Sequence, residues 1–287
     1  MPTTPALFRG LIDDAAVFPP GNAPLTLAFA HHLRHRSSAY ADCIGPLLVP
    51  AGDVYGLAAL VDAQQVEEPV RIGIIGRPGT DPTSVVDAVS FAMERSLLDV
   101  VGVEIGWTRS WRDLGLTIPL ALEVPRGPEQ QEALSDLLDA AAVGAAVIAK
   151  FRTGPTASWA WPDERELAAV IVACADDIPF KLTGGLHHAV RGSHVTAGDV
   201  EENHGVLNVL IAVRAAQQWA DVEEVADLLS VRDGPALARA VGALTDGPAH
   251  KVRSALVSYG CCEVTDPVTE LVGLGLLPPS HLPKDTR

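Results

Sequence analysis

Short apolar, β-branched runs alternate with longer amphipathic stretches along the whole of this 287-residue chain. Strands buried on both faces read as continuous apolar runs, so the alternation predicts a parallel sheet wrapped by helices. Strands are expected near residues 10–15, 44–50, 70–75, 100–105, 118–124, 145–150, 179–183 and 253–259. Helical spacing falls between them at 25–36, 54–63, 82–96, 128–141, 163–175 and 204–219, with a last helix at 267–274. Two additional helices, 222–229 and 235–244, precede the final strand. Asp81-Pro82, Pro162-Asp163 and Asp266-Pro267 mark helix starts, as proline suits the first helical turn. Between the fourth and fifth strands, residues 108–116 leave room only for a short or irregular helix.

Eight strand–helix repeats in a chain of this length fit a single α/β domain, a (β/α)8 TIM barrel, which typically needs about 250 residues. The barrel is expected to span residues 1–277, with the proline-bearing tail 278–287 on the surface or mobile. An open doubly wound sheet carries the same apolar pattern and remains the alternative architecture. Hydrophobic residues make up 48% of the chain but aromatics only 5%, so the core must be built from Ala, Val, Leu and Ile. The net charge of -15 argues against nucleic acid and anionic membrane partners, which reward clustered Lys and Arg. No apolar run reaches the roughly 18 residues of a membrane span, and residues 1–10 lack the pattern of a secretion signal. Cys43, Cys174, Cys261 and Cys262 show no zinc-type spacing, so a reduced, cytoplasmic setting is the expectation.

In a barrel the chemistry sits at the C-terminal ends of the strands, and the polar residues collect there. Asp13 closes the first run, Arg77 follows the third, and Glu104 and Glu123 close the fourth and fifth. Lys150 and Arg152 end the sixth, Lys181, Thr183, His187 and His188 follow the seventh, and Ser258 belongs to the eighth. The opposite ends carry no comparable cluster, and this asymmetry points to an enzyme.

Lysine is scarce, with only Lys150, Lys181, Lys251 and Lys284 present, and two of these finish apolar runs. A buried ammonium is costly unless it is paired, neutralised or put to use. If both face the barrel axis, like-charge repulsion would lower one pKa and free an amine to attack a carbonyl, giving an iminium that acts as an electron sink. Alternatively each lysine pairs with Glu104 or Glu123 as a structural bridge.

Lys150, Thr153 and Gly154 form a Lys-x-x-Thr-Gly motif, and Lys181, Gly184 and Gly185 a Lys-x-x-Gly-Gly motif. Together they resemble the strand-six and strand-seven motifs of class I deoxyribose-phosphate aldolases. The likeness extends thinly over residues 10–190, through Leu11-Ile12-Asp13, Arg71-Ile72-Gly73-Ile74-Ile75-Gly76-Arg77-Pro78-Gly79 and Val103-Glu104-Ile105-Gly106, with a weaker echo at Ser258-Tyr259-Gly260. The resemblance implies a (β/α)8 barrel with Lys150 as the imine-forming nucleophile and Lys181 as the partner that lowers its pKa. The chain departs from the family in three places. The early acidic position of strand four falls on Val100 or Gly102, with Glu104 one pleat later as the substitute. The phosphate-binding end of strand eight becomes Gly260-Cys261-Cys262-Glu263, and His187-His188 is an addition. The scaffold and imine chemistry therefore carry over, and the sugar-phosphate substrate does not.

The leading expectation is a class I aldolase-like lyase for a small carbonyl substrate, with Glu104 or His187 moving protons and Arg152 and Arg191 holding an anionic group. His204 and Asn208, four apart on a predicted helix, line the pocket or merely cap and pack that helix. The polar stretch 189–203 reads as a lid or as a disordered insertion. A metal-assisted lyase or isomerase using Glu104, Glu123 and His187 is the second reading, although no compact metal signature is present. A third is a non-catalytic barrel, which predicts salt-bridged lysines and no open cavity at the strand ends. No nucleotide or dinucleotide fingerprint appears, so no cofactor is expected. A homodimer is left open.

Overall fold

The computed structural model describes residues 4–156, 159–196 and 199–283. The chain runs β1 (Ile12–Asp14), α1 (Leu25–Arg36), β2 (Ile44–Pro50), α2 (Val54–Ala63), β3 (Val70–Ile75) and α3 (Pro82–Met93). It continues β4 (Leu98–Gly106), β5 (Leu120–Glu123), α4 (Gln130–Ala142), β6 (Val147–Arg152), α5 (Glu164–Cys174) and β7 (Phe180–Thr183). After β7 come β8 (Gly192–Thr196), β9 (Asp199–Asn203), α6 (Val206–Ala216), α7 (Val222–Ser230), α8 (Gly234–Gly242), α9 (Asp246–Ala255), β10 (Leu256–Cys261) and α10 (Thr265–Gly273). Eight strands close in the order β1-β10-β7-β6-β5-β4-β3-β2, all neighbours being parallel. This is a (β/α)8 barrel. A closed sheet has no edge strands, which rules out the open alternative.

Local chemistry sets the boundaries. Asp81 caps α3 by accepting from the Thr83 N–H with Pro82 behind it, and Asp163 and Glu166 form a reciprocal capping box at α5. A single 3₁₀ turn, Trp111–Leu114, replaces a helix between β4 and β5, as the short connection demands. The core is aliphatic, with Phe29, Phe180 and Tyr259 among its few large rings.

Two segments depart from expectation. Residues 246–255 form α9, which delays the last strand to Leu256. This helix buries only Ala249, Val252 and Ala255, too thin an apolar stripe to stand out in the sequence. The stretch read as a lid or a disordered insertion contains an antiparallel hairpin, β8 on β9. Of the tail, Pro279–His281 forms a 3₁₀ turn whose His281 is buried against the Thr4 hydroxyl at 3.0 Å. Residues 284–287, including Lys284, lie outside the described residues.

Candidate active site

Side chains alternate faces along a strand, and β6 uses this to sort its functions. Lys150 and Arg152 point into the barrel mouth, whereas Phe151 turns outward and stacks edge-on against Phe180, with ring centres 6.4 Å apart. Lys150 and Lys181 are direct register partners across β6 and β7. Glu104 reaches both from the far side, its Oε2 2.9 Å from Lys150 Nζ and its Oε1 bonded to Lys181 Nζ. One carboxylate therefore lies between the two ammonium groups.

The network extends in both directions. Lys150 Nζ also lies 3.0 Å from Glu123 Oε2, and Glu123 Oε1 accepts from Arg152 Nε at 3.2 Å. Lys181 Nζ donates to Asp13 Oδ2 at 2.6 Å, and the Ser258 hydroxyl donates to the same oxygen at 2.7 Å. Asp13, Glu104 and Glu123 thus balance Lys150, Lys181 and Arg152. Both lysines are 5% exposed and Glu104 is 4% exposed, so this is an interior charge cluster. Such a cluster holds together only if each member is paired.

Burial alone would push the Glu104 carboxyl up, but the two lysines outweigh it and bring it down to about 2. Burial opposes the charge on Lys150 as well, and Glu104 and Glu123 overcome it, so its pKa lies above the ordinary lysine value. The same balance, with Asp13 and Glu104 as the opposing groups, raises Lys181. Burial lifts the Asp13 carboxyl against the pull of Lys181. The expected lowering of Lys150 by Lys181 is thus reversed. The repulsion exists, but two carboxylates exceed it.

Lys150, Glu104, Glu123, Arg152, Thr183 and His187 line one open cavity of 960 Å³ at the strand ends, and Arg77 stands at the same cavity, its guanidinium 5.0 Å from the Phe18 ring centre. Asp13, Lys181 and Ser258 border a separate 230 Å³ space lower in the barrel, beside Gly45, Gly73 and Gly102. The two lysines share a carboxylate but face different spaces. Salt-bridged lysines agree with the non-catalytic reading, and the open cavity does not.

The remaining candidates divide. His187 sits with its Nδ1 3.6 Å from Cys261 Sγ and 3.7 Å from Cys262 Sγ, and burial lowers its pKa. It is therefore not placed with Glu104 and Glu123 as a ligand set. Among the described residues no group of three or more His, Cys, Asp or Glu side chains could hold a metal ion. His188 bonds Glu270 at 2.7 Å and stacks flat on His194. Arg191 is committed to Glu164 at 2.6 Å, not to the cavity, so the anion-holding role expected of it finds no support. His204 donates to the Pro162 carbonyl at 2.8 Å, and burial lowers its pKa. Asn208 is fully buried, accepts from the Arg191 N–H and donates to the carbonyls of Leu228, Leu229 and Val231. Both fasten α6 to its surroundings instead of lining the pocket.

Sequence reasoning missed the aromatic walls of the cavity, Phe18, Trp107 and Trp159. Their signal was available, since Trp107 directly follows a strand end in a chain so poor in aromatics. The Cys262–His187 contact joins residues 75 apart and left no local trace. No family model matches this chain, and no curated protein or solved structure matches it either.

Proposed function

We propose that this barrel is an imine-forming carbon–carbon lyase of aldolase type, with Lys150 as nucleophile. The observation that carries the reading is the position of Lys150. Among the described residues it is the one lysine on the wall of the open cavity, held between two carboxylates, Glu104 and Glu123, that line the same cavity. Barrels of this class commonly carry active sites at this end.

The resting amine is protonated, so reaction begins with a proton passing from Lys150 to Glu123 as a carbonyl compound arrives. The lone pair on Nζ then attacks the carbonyl carbon. A carbinolamine forms, the oxygen receives protons from the surrounding acids and leaves as water, and an iminium remains. Ammonium plus carbonyl gives iminium plus water with no net change of charge. The carboxylates that hold the ammonium at rest therefore also hold the iminium. The iminium draws the electron pair of the Cα–Cβ bond as the β-hydroxyl gives up its proton and leaves as a second carbonyl compound. Glu104, backed by Lys181, passes that proton to the enamine carbon, and water then hydrolyses the iminium to return the Lys150 ammonium.

The raised pKa of Lys150 favours one other reading, in which the ammonium remains protonated throughout and polarises a substrate carbonyl without bonding to it. Borohydride reduction of the full-length protein with acetaldehyde, followed by peptide mass analysis, decides between them. The imine reading expects a reduced adduct at Lys150. An enzyme that turns over carbonyl substrates yet leaves Lys150 unmodified would overturn it.

A further inference from the structure

Barrel enzymes that act on phosphorylated substrates commonly place the phosphate against the loops after the seventh and eighth strands and a helix N-terminus. Here one backbone donor after each of these strands is taken by a carboxylate. After β7 the Ala189 N–H donates to Glu270 Oε2 at 2.6 Å, and the same carboxylate holds His188. After β10 the Glu263 carboxylate accepts from both the N–H and the hydroxyl of Thr265, at the start of α10, at 3.2 and 2.5 Å. Neither carboxylate lines the cavity, but each occupies a donor beyond the end of its strand and adds a negative charge there, which disfavours a dianion.

The cavity opens elsewhere. From Lys150 it runs outward past β6 between α4 and α5, bounded by Leu134, Phe151, Trp159, Leu167, Val170 and Ala173. Lining positions on α5 extend from Glu166 to Ala173, a span of roughly 10 Å at 1.5 Å per residue. The whole space is at the upper end of the usual range for small-molecule sites, far more than a two- or three-carbon aldehyde fills. Along this arm apolar side chains form most of the wall, with Gln130, Gln131 and the Glu166-paired Arg126 also on the cavity lining.

We infer that the substrate is an unphosphorylated carbonyl compound with a sizeable apolar body, an alkyl chain or aryl group, lying between α4 and α5 while its carbonyl carbon meets Lys150. The orientation rests on the imine reading, whereas the preference for an apolar body does not.

The test compares propanal, hexanal, octanal and glyceraldehyde 3-phosphate in borohydride trapping of the full-length protein, reading the aldehyde concentration that gives half-maximal adduct at Lys150. That concentration should fall roughly two- to fourfold per added methylene, with the phosphorylated aldehyde weakest. Ala169→Trp, at an exposed position on the arm, should shrink the ratio between octanal and propanal. A flat series, or best trapping by the phosphorylated aldehyde, overturns the inference. Quenching of tryptophan fluorescence by 2-octanone and 2-butanone, without borohydride, keeps the two ideas apart. If no aldehyde modifies Lys150 yet 2-octanone binds at least tenfold more tightly than 2-butanone, the imine reading fails and the substrate class stands. If neither assay responds to chain length, the substrate class fails as well.

Discussion

The two halves of the barrel mouth treat the same residue type in opposite ways. On the β4–β6 side, Lys150 meets Glu104 and Glu123 at the wall of a wide cavity. On the β1–β7–β10 side, Lys181 meets Glu104 and Asp13, with Ser258 completing the shell, and borders the smaller space instead of that cavity. Burial and pairing are nearly identical, and access differs. Charge environment alone therefore does not separate the two amines, and the space in front of each does.

The sharpest way to break this comparison is to remove each amine. Lys150→Met should abolish reductive adduct formation, whereas Lys181→Met should still give adduct at position 150, at a reduced rate. Peptide mass analysis of both variants checks this, and adduct at position 181 in the Lys150→Met protein would dissolve the distinction. Stability should run the other way. Lys181→Met strands Asp13 and leaves Glu104 with one partner, so denaturant unfolding should show a loss of about 3–5 kcal/mol. In Lys150→Met, Glu104 keeps Lys181 and Glu123 keeps Arg152, and the loss should be about 1–2 kcal/mol.

Acid sharpens the picture from the carboxylate side. The Glu104 pKa is about 2 in the fold against the ordinary glutamate value of 4.5, so its contribution is fully present above pH 4.5 and is lost as pH falls towards 2. The depression corresponds to roughly 3 kcal/mol. Unfolding measured over that interval should show this loss in the native sequence and a shallower slope in Glu104→Gln. A further effect is kinetic. With the Lys150 pKa raised, the neutral fraction of its amine grows about tenfold per pH unit. The rate of adduct formation at low propanal concentration should therefore climb without a plateau from pH 7 to 9. A plateau near neutrality would mean that the resting amine is already free.

The barrel was legible because its strands are apolar on both faces, and the 44–50 and 70–75 runs match β2 and β3 residue for residue. The juxtaposition of the lysines was legible too, since equal offsets from two apolar runs place them in register. Their protonation was not. It depends on Glu104 reaching across from β4 and on Glu123 from β5, and no one-dimensional pattern reports which carboxylate turns towards which amine. The β8–β9 hairpin was hidden for a related reason. Residues such as Ser193, His194, Glu201 and Glu202 give no apolar alternation, and pairing arises from the partner strand instead.

The glycines of the two lysine motifs serve a different end from the lysines. A Cβ on Gly154 would collide with the Gly184 carbonyl oxygen, and one on Gly185 would come within 2.6 Å of the Gly154 nitrogen. The Thr153 N–H donates to the Thr183 carbonyl at 2.8 Å just below this crossing. Here two connecting segments are dovetailed at bare backbone under the Trp161 ring, with no room for a Cβ at Gly154 or Gly185. Each motif consequently carries two separable messages, one of joinery and one of charge. A sequence that kept the four glycine and threonine letters but exchanged both amines would keep the backbone contact and lose the charge cluster.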